Sequence, residues 1–93
     1  MREKAIENKL RQQIKNSGGL CLKFVSPSFD GVPDRIILMP DGKIAFAEIK
    51  AEGKKLRPLQ ELRKRQFEKL GFKVYVVDNA EMIGGIIGEI QSA

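Results

Sequence analysis

The chain contains no histidine and a single cysteine, Cys21, in 93 residues. Without histidine there is no zinc site of the His/Cys type, no Ser-His or Cys-His nucleophile pair and no histidine general base. A lone cysteine excludes an intramolecular disulfide and suits a reducing compartment. Cys21 lies in an apolar run, which favours a buried structural thiol over a reactive one. No apolar run approaches the ~20 residues that a membrane span requires, so no membrane association is expected. The first residues, Met-Arg-Glu-Lys-Ala-Ile-Glu, are charged and form no apolar signal core, so a cytoplasmic location is expected, in a phage or bacterial setting. Acidic residues are the scarcer charges, 12 against 17 basic ones, giving +5. That balance favours a polyanionic partner. Any catalysis must therefore use carboxylates, lysines, a metal ion, or water that they activate.

Length and composition fit one soluble α/β domain over residues 1–93, with 42% hydrophobic and 31% charged residues. Ile6, Leu10 and Ile14 recur every four positions and predict a first helix over about 2–16, stopped by Ser17-Gly18-Gly19. Glu7 borders this stripe and, on pattern alone, is a boundary glutamate paired with Arg11. Leu20–Val25 reads as a strand, with Lys23 either at a solvated edge or aimed at an anionic site. Residues 26–33 are a loop by their turn residues. Asp34–Met39 and Lys43–Lys50 read as two strands joined by a turn at Pro40-Asp41-Gly42-Lys43. A basic connector, Ala51–Arg57, leads into a helix over about 58–70 that begins at Pro58. Its expected apolar side is Leu59, Leu62, Gln66, Phe67 and Leu70. Gln60 in its first turn reads locally as a capping group. A fourth strand, Phe72–Val77, should lie parallel to the third because a helix connects them. Asp78 or Asn79 can cap a last helix carrying Met82, Ile83, Ile86, Ile87 and Ile90.

The stretch from Gly31 to Lys50 carries the chemistry. In a strand, Ile44, Phe46, Glu48 and Lys50 point to one side, so a face that buries Ile and Phe ends in a carboxylate and an ammonium. Either charge buried alone would cost several kcal/mol. They must be paired, bound to a metal, or at the open end of the sheet. A hairpin centred between Asp41 and Gly42 places position 34 opposite about 49, so Asp34 and Glu48 are diagonal neighbours. Asp34, Glu48 and the Ile49 carbonyl are hard oxygen donors suited to Mg²⁺ or Mn²⁺. Lys50 could orient or deprotonate a water, or offset developing charge. This is chemistry for phosphodiester hydrolysis; ion pairs of Asp34 and Glu48 with nearby cations are the structural alternative.

Pro33-Asp34, followed fourteen positions later by Glu48-Ile49-Lys50, resembles the PD-(D/E)XK nuclease signature on its αβββαβ core. With Glu7, Gly31-Val32-Pro33-Asp34 and Gln60 after Leu-Arg-Pro-Leu, the chain resembles the VRR-NUC (virus-type replication-repair nuclease) family in its small stand-alone form. The resemblance implies a single restriction-endonuclease-like domain with a mixed central sheet and a C-terminal helix. It implies a Mg²⁺- or Mn²⁺-dependent endodeoxyribonuclease acting on Holliday junctions or other branched DNA in repair, working as a homodimer. It raises Glu7 to an outer metal or water ligand and Gln60 to a positioning group beside Asp34, Glu48 and Lys50. Arg57 departs from the small capping residue usual before the Pro-Leu-Gln turn. The cations expected to meet DNA are Lys23, Lys54, Lys55, Arg57, Arg63 and Lys64. The alternatives are a nuclease preferring flap or duplex DNA, and a non-catalytic DNA-binding module on the same fold. The Ile- and Gly-rich end, Ile83–Ile90, is the expected dimer surface.

Overall fold

The computed structural model describes all 93 residues. Helix α1 (Glu3–Asn16) is followed by strands β1 (Leu20–Lys23), β2 (Arg35–Met39) and β3 (Lys43–Ile49). Helix α2 (Pro58–Lys69), strand β4 (Val74–Val77) and helix α3 (Ile83–Ser92) complete the chain. The sheet runs β1-β2-β3-β4, antiparallel except for the parallel β3–β4 pair across the α2 crossover. This is the αβββαβ core with a mixed sheet and a C-terminal helix that the sequence predicts. No helix is long and apolar enough to cross a membrane.

The four-residue spacing of Ile6, Leu10 and Ile14 makes one stripe along α1, and all three are fully buried. They pack on the sheet face formed by Ile37, Ala45, Ala47, Ile49 and Val77. The alanines in β3 leave room for helices to approach closely. Gly19 serves the same closeness: a Cβ there would come within 2.5 Å of the Leu38 carbonyl oxygen and 2.6 Å of the Met39 sulfur. Ile83, Ile86, Ile87 and Ile90 of α3 complete this core. They are therefore unavailable as a dimer surface, which corrects the sequence expectation. The isoleucine face of this helix is consumed by the domain's own core. Asn79 helps start that end, its side-chain oxygen accepting from the Glu81 N–H at 2.8 Å. Gly84, Gly85 and Gly88 face open space and make no close approach.

The β2–β3 hairpin departs from expectation by one position. Arg35 pairs with Ala47 and Met39 with Lys43, so the hairpin is centred on Asp41. The reason is chemical: Pro40 has no N–H with which to continue the ladder, and β2 ends at Met39. Pro40–Gly42 then form a three-residue turn in which Asp41 and Gly42 both have positive φ, 69° and 71°. Continuing the register by one pair sets Asp34 directly opposite Glu48 instead of diagonal to it.

Helix α2 is rotated from its expected orientation. Leu59, Leu62 and Leu70 are exposed by 41%, 39% and 76%, whereas Gln60, Arg63, Lys64 and Phe67 are partly buried. Those four positions fall at i, i+3, i+4 and i+7, the spacing of one helical face. Phe67 decides the rotation by stacking at 4.9 Å, edge on, against Phe46 of β3. Phe24 and Phe72 join them, each 5.7 Å from Phe46 between ring centroids. An aromatic contact of this kind adds about 0.5–1.5 kcal/mol beyond burial. It outweighs leaving three leucines partly exposed.

Candidate active site

Side-chain alternation sorts β3 into two sets. Ala45, Ala47 and Ile49 face α1 and α3, while Phe46 and Glu48 face the side covered by α2. Glu48 is only 3% exposed, the one buried charged residue in the protein. Asp34, which leads into β2 behind the fully buried Pro33, lies across from it. One Asp34 carboxylate oxygen accepts the Ile49 N–H at 2.8 Å, which fixes its side chain against the end of β3.

The two carboxyl groups interact directly. The Glu48 pKa is pushed up to about 8, first by burial, then by its hydrogen bond to Asp34 and by the Asp34 negative charge. Lys50 pulls in the opposite direction. Burial and the neighbouring Asp34 thus favour a proton held at this pair at neutral pH. Two hard oxygen donors held together at a proton's expense match a divalent cation, which can replace that proton and relieve the repulsion. Donor chemistry and placement thus fit Mg²⁺ or Mn²⁺ at Asp34 and Glu48, with the Ile49 carbonyl as the last of the strand beside them. Lys50 follows directly, half-buried, its backbone N–H donating to the Val77 carbonyl at 3.0 Å. The parallel β3–β4 pair thereby holds the strand end rigidly.

Comparison with known proteins places the whole chain in a family. The chain is 42% identical over 82 residues, 88% of either protein, to "Putative nuclease p44" of Acyrthosiphon pisum secondary endosymbiont phage 1. It superposes with a TM-score of 0.86 on a solved structure described as a VRR_NUC domain, 29% identical, covering 92% of this chain and 94% of that one. The chain belongs to the VRR-NUC family. No protein-family model matches it, so the membership rests on these whole-chain likenesses. It is a nuclease of the VRR-NUC type.

The remaining residues singled out in the sequence are distributed unevenly. Glu7 is not joined to Asp34 and Glu48. It accepts from Arg35 Nε at 2.9 Å, a partner on the α1 face, and not from Arg11 as helical spacing suggests. Arg35 also donates to the Cys21 carbonyl at 3.3 Å, closing β1, β2 and α1 together beside the half-buried Cys21. Nowhere are three acidic or cysteine side chains gathered into a metal-holding group. The α1 carboxylate whose charge reaches Glu48 is Glu3, one turn earlier. The helix period carried that signal, since Glu3 and Glu7 share one side of α1.

Gln60 caps α2: its side-chain oxygen accepts from the Arg57 N–H at 2.9 Å. Lys23 is exposed on the edge strand, paired with Arg35 and so on the face opposite Glu48. Lys54, Lys55 and Arg57 are exposed in the connector without an ion pair, whereas Lys64 is paired with Glu68 at 3.1 Å. The guanidinium of Arg63 is turned inward onto the 26–33 loop. The aromatic cluster around Phe46 escaped the sequence reading because its members are spread from Phe24 to Phe72 along the chain.

Proposed function

We propose that this nuclease is a Mg²⁺- or Mn²⁺-dependent endodeoxyribonuclease that hydrolyses phosphodiester bonds in branched DNA, Holliday junctions included, as a homodimer in replication or repair. The buried Asp34–Glu48 pair beside Lys50 carries this reading. A divalent cation at that pair would supply Lewis-acid stabilisation of charge on the phosphate and a more acidic water. Asp34 and Glu48 would hold it, their shared proton passing to solvent. Lys50 orients the attacking water or accepts its proton, and its positive charge offsets the negative charge that builds on the phosphate. Glu3 or Glu7 of α1 orders water at the outer side, and Gln60 keeps the start of α2 set beside the strand ends. Lys54, Lys55 and Arg57 supply free cations for the DNA backbone, with Lys23 and Lys64 further out.

Two cuts in a two-fold symmetric junction require two sites, and one 93-residue domain offers one. Leu20, Leu38 and Ile44 form a continuous cross-strand row, with Leu20 and Ile44 exposed by 58% and 41%, and Leu22 beside them by 44%. This row is the apolar surface proposed for a second copy. Sedimentation that finds only a 10.4 kDa monomer at micromolar concentration would remove it.

A non-catalytic DNA-binding module on the same fold is disfavoured because a buried carboxylate pair repels phosphate unless a cation covers it. Labelled four-way junctions, flaps and plain duplexes incubated with Mg²⁺ or Mn²⁺ separate the readings. The proposal expects junctions to be cut fastest and Lys50→Ala to be inert. Equal cutting of all three would replace the junction preference with a duplex or flap activity. Cleavage no faster than that of Lys50→Ala would sink the hydrolytic reading.

A further inference from the structure

Residues 26–33 lead straight into Asp34, and Arg63 of α2 grips this loop by two kinds of contact. Its Nε donates to the Asp30 carbonyl at 2.7 Å. Its guanidinium carbon lies 3.7 Å from the centroid of the Phe29 ring. A third contact orients the grip itself: Arg63 Nη1 donates to the Gln66 side-chain oxygen at 3.1 Å, one turn along α2. The loop is pressed against the helix at the next residue. Gly31 has φ +84°, and a Cβ there would meet Leu59 Cγ at 2.7 Å and Arg63 Cγ at 3.2 Å. From that clamped glycine the chain runs through Val32 and the fully buried Pro33 to Asp34. Proline leaves little torsional freedom between the clamp and the carboxylate.

We infer that Arg63 is a positioning residue, a buckle between α2 and the loop that sets where Asp34 stands opposite Glu48. This rests on the hydrolytic reading of that pair. A planar fork that donates at two points while stacking on a ring is a geometry lysine cannot reproduce. Arg63 was expected at the DNA backbone, but its hydrogen bonds and its flat face are spent on Asp30, Gln66 and Phe29. Much of its value therefore lies in shape, with charge secondary.

Four variants in the full chain test this: Arg63→Lys, Arg63→Gln, Phe29→Leu and, as the control for the reading itself, Asp34→Asn. The first readout is Mn²⁺ affinity without DNA at pH 8, from electron paramagnetic resonance. The buckle predicts that Arg63→Lys and Arg63→Gln weaken Mn²⁺ by a similar factor, about 3- to 10-fold, and that Phe29→Leu weakens it less. Circular dichroism melting is expected to show all three folded. The second readout is amide exchange at residues 29–32, expected to quicken about 10-fold in Arg63→Lys. The third is the salt dependence of DNA binding, expected to keep its slope in Arg63→Gln. A phosphate contact would show the reverse: Arg63→Lys like wild type in every assay, and a salt slope lowered by about one in Arg63→Gln. That pattern would overturn the buckle. If wild type and Asp34→Asn alike fail to bind Mn²⁺, the hydrolytic reading fails, and unchanged loop exchange in Arg63→Lys would then overturn the buckle separately.

Discussion

The two faces of the sheet are built differently. The face under α1 and α3 is closed: Ile6, Leu10, Ile14, Ile37, Ala45, Ala47, Val77 and Ile83 are all fully buried, and no charge lies among them. The face under α2 is thin. No residue of α2 is buried, Phe67 is its aromatic contact with the sheet, and the ionisable Glu48 lies at the end of the aromatic cluster. Stability is concentrated on one side of a single sheet and chemistry on the other. Because β3 contributes alternate residues to both, it can be rigid and reactive at once.

That division can be broken most sharply at Glu48. Glu48→Gln is expected to reduce metal-dependent cleavage by about 10²- to 10³-fold, on the scale of losing one electrostatic group from an active site. Its thermal midpoint at pH 8 should be equal to or above that of wild type, because a buried negative charge is removed. A loss of fold would show that the thin face carries stability after all.

On the closed face the outcomes invert. Ile37→Ala or Leu10→Ala should cost about 2–5 kcal/mol in denaturant unfolding, the range for truncating a buried aliphatic side chain. Activity should fall only as the folded fraction falls. An unfolding free energy within about 0.5 kcal/mol of wild type would contradict the assignment of the core.

The same contrast predicts a pH dependence for the metal-free protein. Glu48 binds its proton more tightly folded, at about 8, than unfolded, near 4.5. Between those values the native state holds more protons than the unfolded state, so stability falls as pH rises and levels off above about 8. A midpoint that drops between pH 5 and 8 in wild type, but not in Glu48→Gln, is the expected result. Divalent metal binding should strengthen over the same interval, since the cation displaces the shared proton. A pH-independent difference between the two proteins would show that Glu48 is ionised at neutral pH.

The smallest effect concerns the exposed side of α3. Gly85→Ala and Gly88→Ala place a methyl group in open space on a helix, and each should raise stability by about 0.5–1 kcal/mol. Gly19→Ala should destabilise, because the added Cβ meets backbone. Chemical denaturation of the three variants checks both signs.

Much of this division was legible in the sequence. The four-residue stripe of α1, the isoleucine pattern of α3 and the parallel β3–β4 pair followed from period and connection. The nearness of Asp34 to Glu48 followed from counting through the hairpin, although Pro40 shifted the register by one. What escaped depended on partners far along the chain. The rotation of α2 is set by Phe67 meeting Phe46, against its own leucine pattern. Glu7 has a choice between Arg11 and Arg35, and only the folded chain brings the second within reach. Arg63, one of several basic residues along α2, shows its inward role only once Phe29 and Asp30 lie against it. A sequence records alternation within an element well. It records poorly which of two faces a neighbouring helix will choose.

Everything proposed for the open face depends on a divalent cation at the Asp34–Glu48 pair. Titration calorimetry of Mn²⁺ into the metal-free protein at pH 8 tests it most directly, with Asp34→Asn and Glu48→Gln alongside. Wild type is expected to bind saturably, with proton release at pH 7, and each variant to lose at least about tenfold in affinity. Binding of equal strength in all three proteins, or none in wild type, would contradict it.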